Sequence, residues 1–253
     1  MKTDIFIVSY EKDIPYLDYC LRSIDKFATG FNNRVLVVPS VEEPLFHRFC
    51  EQAVIKTYER VPDQRRWQIN AQLAKMRADE HCEGDFIFMI DSDCCFIEPV
   101  TPDDYFLEGK PVMLIREYST IPTCPWKQPT EQALGHECLW ETMARHGQIN
   151  PRGLFAPLRL HIAAVNKMPF DQYVLSRKPD FCWGISEHNC IGAYALHHPY
   201  WTTKYHWIDT AKAPTPKPKI FQAWSHSPPD QEQDNPNGGR KKPLDVYREI
   251  GIA

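Results

Sequence analysis

Glycine is scarce, at 11 of 253 residues, and its placement excludes two common phosphate cradles. Neither G-x-G-x-x-G nor G-x-x-x-x-G-K-[ST] occurs in the chain, so a glycine-rich loop is not available to hold a phosphate. C-x-x-C is absent as well. The nine cysteines, an odd number, fall largely inside apolar periodic stretches. That pattern predicts buried, reduced thiols in a cytoplasmic protein rather than disulfides or a zinc site. A charge excess is also missing: 29 basic against 33 acidic side chains give a formal net charge of -4. Such a balance makes no broad basic field for duplex DNA or a membrane surface. The apolar run after residue 4 is shorter than a signal-peptide core or a membrane span, and no internal repeat is visible.

What is present is ordinary core material, with 43% hydrophobic and 25% charged residues. The length suits a single α/β domain over 1–226, followed by a loosely packed tail over 227–253 rich in Pro, Asp, Gln and Gly. Short apolar runs alternate with helical patterns, which predicts a mostly parallel central sheet flanked by helices. Strands are expected at 5–9, 34–38, 54–58, 86–90, 112–115, 161–165, 205–208 and 220–224. Asp13 with Pro15 opens a helix carrying Leu17, Leu21 and Ile24 and ended by Gly30. Ser40 caps a short helix with Leu45, Phe46 and Phe49. A longer helix is expected over 63–82, with Ile69, Leu73 and Met76 buried and Arg65, Gln68, Gln72 and Lys75 on one polar face. Further helices are expected from Thr130 to Gly147, over 169–175, and from Ser186 to 196. Three prolines at 214, 216 and 218 keep 213–219 extended.

The sharpest chemical signal is Asp91-Ser92-Asp93, directly after the apolar run over 86–90. In open α/β sheets ligands gather at the carboxyl ends of the strands. Two carboxylates two residues apart in such a setting repel each other and ask for a cation. Their oxygens suit Mg²⁺ or Mn²⁺, which complete their shells with phosphate and water. Ser186-Glu187 is the second signal. A serine cap followed by an acid in the first turn is favourable through the helix dipole alone, and the same carboxylate can accept a proton.

Four pieces carry a family resemblance: Asp4-Ile5-Phe6-Ile7-Val8-Ser9-Tyr10, the Gln68, Gln72 and Lys75 face, Phe88-Met89-Ile90-Asp91-Ser92-Asp93, and Gly184-Ile185-Ser186-Glu187-His188-Asn189. Their order resembles the GT-A glycosyltransferases and, more narrowly, is similar to the DUF6492-type family of bacteria and phages. The resemblance implies a GT-A-like fold and a metal-dependent transfer of a sugar from a nucleotide diphosphate, UDP above all. The implied acceptors are a glycan, a small molecule or a modified nucleobase. It places Val8, Ser9 and Tyr10 at the nucleotide base, with Gln68, Gln72, Lys75, Asp91 and Ser92 along the donor. Arg65 and Arg66 would add charge-assisted contacts to phosphate. Asp91 and Asp93 would hold Mn²⁺ or Mg²⁺, with His226 as a further ligand for which His161, His197, His198 and His206 compete. Glu187 would be the catalytic base, and Trp183 and Trp207 platforms for a ring.

Three other readings stay open. A nucleotidyltransferase joins paired acids to a similar sheet, but often with a glycine-rich loop after the first strand, where this chain has Tyr10-Glu11-Lys12-Asp13. A HAD-type phosphatase uses D-x-D on its first strand, whereas this motif lies at mid-chain. A non-catalytic nucleotide-sugar or carbohydrate binder keeps the fold without the chemistry.

Overall fold

The structure is a computed structural model that describes residues 1–60, 67–143, 147–177, 184–213, 219–223, 225, 227–234 and 240–253, with the backbone alone at Trp67 and Asp234. Its strands are β1 (Thr3–Val8), β2 (Arg34–Pro39), β3 (Val54–Tyr58), β4 (Phe86–Asp91), β5 (Cys94–Phe96), β6 (Phe106–Leu107), β7 (Lys110–Glu117), β8 (Trp140–Glu141), β9 (Gln148–Pro151), β10 (His206–Asp209), β11 (Ile220–Gln222), β12 (Gln233–Asp234) and β13 (Arg240–Lys241). The helices are α1 (Ile14–Phe27), α2 (Glu43–Phe46), α3 (Trp67–Lys75), α4 (Ala78–His81), α5 (Lys127–Leu134), α6 (Phe155–Asn166), α7 (Phe170–Ser176), α8 (Glu187–His197), α9 (Pro199–Thr202) and α10 (Pro243–Glu249).

Five strands form the central sheet in the order β3-β2-β1-β4-β9. The first four are parallel and β9 runs against β4. This is a mixed α/β architecture with a mostly parallel sheet flanked by helices. Alternation along the strands sorts their side chains into two cores. Phe6, Val8, Val35, Val37, Ile87 and Met89 face the layer that includes α3 and α5 to α8. Ile5, Ile7, Leu36, Val38, Phe88 and Ile90 face α1 and the Phe46 and Phe49 turn. With both faces covered, the strands read as continuous apolar runs.

Connection handedness then decides where the crevice lies. Steps from β1 to β2 to β3 move one way across the sheet, and the return to β4 moves the other way. A right-handed crossover puts the connecting helix on opposite faces for opposite directions. Accordingly α1 buries Leu17, Leu21 and Ile24 on one face, while α3 buries Ile69 and Leu73 on the other. The carboxyl ends of β1 and β4, in register at Val8 and Asp91, therefore stand at the point where strand order reverses.

Several expectations need correction. The helix expected over 63–82 is broken: its first residues, 63–66, lie outside the described part, α3 ends at Lys75, and α4 begins at Ala78. The Arg159 guanidinium takes the Met76 carbonyl at 2.8 Å at the break. The helix from Thr130 stops at Leu134 because Gly135 adopts φ +73°, a left-handed cap favoured for glycine; Leu139 beyond it is 59% exposed. The strand expected over 161–165 is helical, since Phe155, Leu158 and Ile162 bury one stripe of α6 at helical spacing. The helix after Asp13 ends at Phe27, before Gly30, and β11 ends at Gln222. Most of the extended segment over 213–219 lies outside the described residues.

The C-terminal segment is not loosely packed throughout. Tyr247 on α10 is fully buried among Tyr16, Cys95, Phe221 and Ile252, and its ring stacks on Tyr19 with centroids 4.3 Å apart. Arg22 and Lys26 of α1 donate to the carbonyls of Ile252 and Ile250. Among the described residues no helix is long and apolar enough to cross a membrane. Replacing Tyr247 by alanine is expected to lower unfolding free energy by roughly 3–5 kcal/mol, the usual range for truncating a buried aromatic. Urea unfolding with tryptophan fluorescence measures it; a loss under 1 kcal/mol would mean that α10 is not docked in solution.

Candidate functional site

Four carboxylates and one ammonium converge at the switch point. Asp91 is the last residue of β4, and Asp93 follows two residues on. Lys75, at the end of α3, reaches between them and α8: its Nζ donates to Asp91 Oδ1 at 2.5 Å and to Glu187 Oε1 at 2.8 Å. Lys75, from the polar face expected on that helix, therefore turns inward. Gln72, one turn earlier, is buried and donates from Nε2 to the Ile185 carbonyl at 2.6 Å, which fastens the approach to α8. Ser186 caps α8 as expected, accepting from the Asn189 backbone N–H. The cap aims Glu187 at Lys75 and places its charge at the positive end of the helix dipole.

The segment after β11 closes the other side. Gln222 Nε2 lies 3.3 Å from Asp93 Oδ1 and 3.4 Å from Asp91 Oδ2. The Ser225 backbone N–H donates to Asp93 Oδ2 at 3.2 Å, and the Ala223 N–H to the Asp93 carbonyl at 2.9 Å. From the β1 side come Ser9, Tyr10 and Asp13. Ser92 Oγ donates to Asp13 Oδ2 at 2.9 Å. Glu42, which accepts from the Glu11 N–H and from Arg60, braces this loop.

These charges shape each other's proton affinity. Burial pushes Asp93 from 3.8 up to about 7, and the charges of Asp91 and Asp13 push the same way. Burial, with Asp91 in support, also raises Asp13. Burial pulls the Lys75 ammonium down, but Asp91 and Glu187 more than offset it, and it stays above the ordinary lysine value. Glu187 shows the converse: burial pushes it up, yet Lys75 and then His188 hold it below the ordinary glutamate value. Burial and the neighbouring Asp13 raise the Tyr10 phenol.

Among the described residues, the buried Ser9 Oγ, Asp13 Oδ1 and Gln72 Oε1 at the crevice have no hydrogen-bond partner. Buried polar atoms in this condition can be satisfied by a ligand, an ion or water. The ligand atoms of Asp91, Asp93 and Cys94 lie within 4.8 Å of one another. The two carboxylates fit a hard cation, while the Cys94 sulfur does not.

Of the residues expected at the site, Ser9, Tyr10, Gln72, Lys75, Asp91, Asp93 and Glu187 are brought together. Gln68 is half-buried on α3. The Val8 side chain belongs to the core rather than to the crevice. Ser92 is 3% exposed and its hydroxyl donates to Asp13. Arg65, Arg66, Trp183 and His226 lie outside the described residues. The competing histidines are engaged elsewhere: His161 faces the Leu134 carbonyl, His197 stacks on His136, His198 takes the Tyr200 N–H and His206 faces Glu108. The Trp207 ring packs near Tyr205 and its N–H is spent on the Thr202 carbonyl. Asp13 and Gln222 were missed. Asp13 carried only the signal of a helix cap, and Gln222 that of a single polar residue in an apolar strand.

Fold and site together define an α/β protein with an acidic crevice where its strand order reverses. The chain belongs to DUF6492, a family of unknown function, whose match spans residues 5–153. No curated protein matches it.

The Asp93 shift has a sign that can be measured. Between pH 4 and about 7 the folded protein holds a proton that an unfolded aspartate, near 3.8, has already lost. Stability from this group is therefore greatest at low pH and falls as pH rises through the folded value. In metal-free buffer Asp93→Asn is expected to melt above wild type at pH 8, with the gap closing toward pH 4. A gap that stays constant from pH 4 to pH 8 would refute the raised affinity.

Proposed function

We propose that the chain is a metal-dependent glycosyltransferase that moves a sugar from a nucleotide diphosphate, a UDP-sugar, to an acceptor hydroxyl. The acceptor would be a glycan, a small molecule or a modified nucleobase. The observation that carries this reading is the Asp91–Lys75–Glu187 chain at the switch point, with Asp93 beside it. It offers a cation seat and a proton acceptor in one crevice, the two groups such a transfer needs. The strand order and the D-x-D at the end of β4 suit a GT-A-like fold. The described cysteines are all free and six are buried, which fits a reducing, cytoplasmic setting.

Asp91 and Asp93 would hold Mn²⁺ or Mg²⁺, which when bound supplies Lewis-acid stabilisation of the charge that grows on the β-phosphate. Lys75 has three N–H groups, of which two are used among the described residues, and the third would be left for the diphosphate. Glu187 is ionised at neutral pH because its proton affinity is lowered. Its strength as a base rises as Lys75 turns to phosphate and withdraws from it. The acceptor oxygen then bonds to the anomeric carbon, the bond from that carbon to the diphosphate oxygen breaks, and the hydroxyl proton passes to Glu187. Ser9 and Tyr10 line the nucleoside end.

Two measurements test the reading. UDP is expected to raise the melting temperature far more with Mn²⁺ than in EDTA, because a ligand that needs the ion stabilises the fold only in its presence; equal shifts in both buffers would remove the ion from the mechanism. Glu187→Gln keeps the shape and is expected to lower transfer by roughly 10²-fold or more with UDP affinity retained. Near-normal transfer by a folded Glu187→Gln protein would place the base elsewhere, and no transfer or donor hydrolysis by wild type with any nucleotide sugar would favour a binder.

A further inference from the structure

Asp13 sits at the cap position of α1, yet its side chain makes no capping hydrogen bond. An aspartate there ordinarily takes a backbone N–H of the first turn. Asp13 turns away instead and spends Oδ2 on the hydroxyl of Ser92, the residue between the two D-x-D carboxylates. The residue is 7% exposed, and Oδ1 is buried with no hydrogen-bond partner. The side chains of Ser225 and Tyr10 also reach this carboxylate, yet Oδ1 itself has no hydrogen bond among the described residues, so it gains from a donor brought by a ligand.

Charge points the same way. Asp13, Asp91, Asp93 and Glu187 bring four formal negative charges to the crevice, and the Lys75 ammonium, bound to Asp91 and Glu187, returns one. Asp13 and Asp93 have no cationic partner among the described residues. Among the described residues the Asp93 side-chain oxygens take the neutral donors Gln222 and Ser225.

We propose that Asp13 is the third carboxylate of a divalent-cation site with Asp91 and Asp93, acting through water held on the ion. The proposal rests on the metal-dependent reading above. Contact through water follows from the geometry: ligand atoms of Asp91, Asp93 and Cys94 share a 4.8 Å cluster that does not include Asp13. Mg²⁺ keeps several of its waters when protein carboxylates bind it. A coordinated water is a strong donor, which is what Asp13 Oδ1 lacks. Asp13 therefore orients the hydrated side of the ion, while Cys94, a soft sulfur, contributes no ligand.

The test is Mn²⁺ binding in the presence of UDP, read from the free-ion paramagnetic resonance signal, so that activity is not needed. Asp13→Asn keeps shape and an acceptor for Ser92 but removes the charge. It is expected to weaken Mn²⁺ by roughly 10- to 100-fold, the usual effect of losing a group that hydrogen-bonds to a metal's ligands. Asp93→Asn should abolish binding, Cys94→Ser should leave it unchanged, and metal-free Asp13→Asn should melt no lower than wild type. If Asp13→Asn does not fold, Asp13→Ser is measured with the same expectation. Wild-type affinity in the folded Asp13 variant, with binding lost in Asp93→Asn, overturns this role and leaves the metal-dependent reading standing. Affinity lost in Cys94→Ser but not in Asp13→Asn also overturns it, in favour of a sulfur site. A wild-type protein that binds no Mn²⁺ with UDP overturns both.

Discussion

An ammonium group buried between two carboxylates joins three parts of this chain that lie far apart in sequence. Lys75 closes α3, Asp91 ends β4 and Glu187 starts α8, and each needs the others to be tolerable out of water. A buried charge without a partner is expensive, and removing one member of such a pair typically costs about 3–5 kcal/mol. The contact thus fixes where α8 begins relative to the sheet. Gln72 adds a second fastening one turn away through the Ile185 carbonyl. Gln72 and Lys75, polar in sequence, therefore belong to an inner wall and not to a solvated surface.

The crevice itself follows from handedness. Because β1 is flanked by β2 on one side and β4 on the other, the helices that serve these two directions cover opposite faces and leave the carboxyl ends of β1 and β4 open between them. Into that opening the chain sends Asp13 from one side, Asp91 and Asp93 from the other, and Gln222 and Ser225 from the segment after β11. Among the described residues the crevice holds four carboxylates against one ammonium and keeps three buried polar atoms without a hydrogen bond. A crevice in that state has affinity to offer a ligand that brings both positive charge and hydrogen-bond donors.

Much of the frame was legible in the sequence because it is decided locally. The apolar runs of β1, β2 and β4 exceed what a surface strand needs, and Ser186 before an acid is a capping signal that a few neighbouring residues settle. The D-x-D at the end of β4 was legible for the same reason. The strand expected over 161–165 failed because Ile162 and Val165 are β-branched residues that also suit one stripe of a helix, and packing of Phe155, Leu158 and Ile162 chose between the two. The C-terminal segment looked too polar to pack, but Val246, Tyr247 and Ile252 are buried in one cluster with Tyr16, Cys95 and Phe221.

The sequence by itself determined that this chain is α/β, that two acids close its central strand, and that Glu187 opens a capped helix, since each depends on residues close together along the chain. Only the tertiary structure decided what those acids meet. Asp13 could have capped its own helix, and Lys75 could have stayed in water. Both choices lie between alternatives of similar local energy, and contacts with residues 16 to 112 positions away tip them.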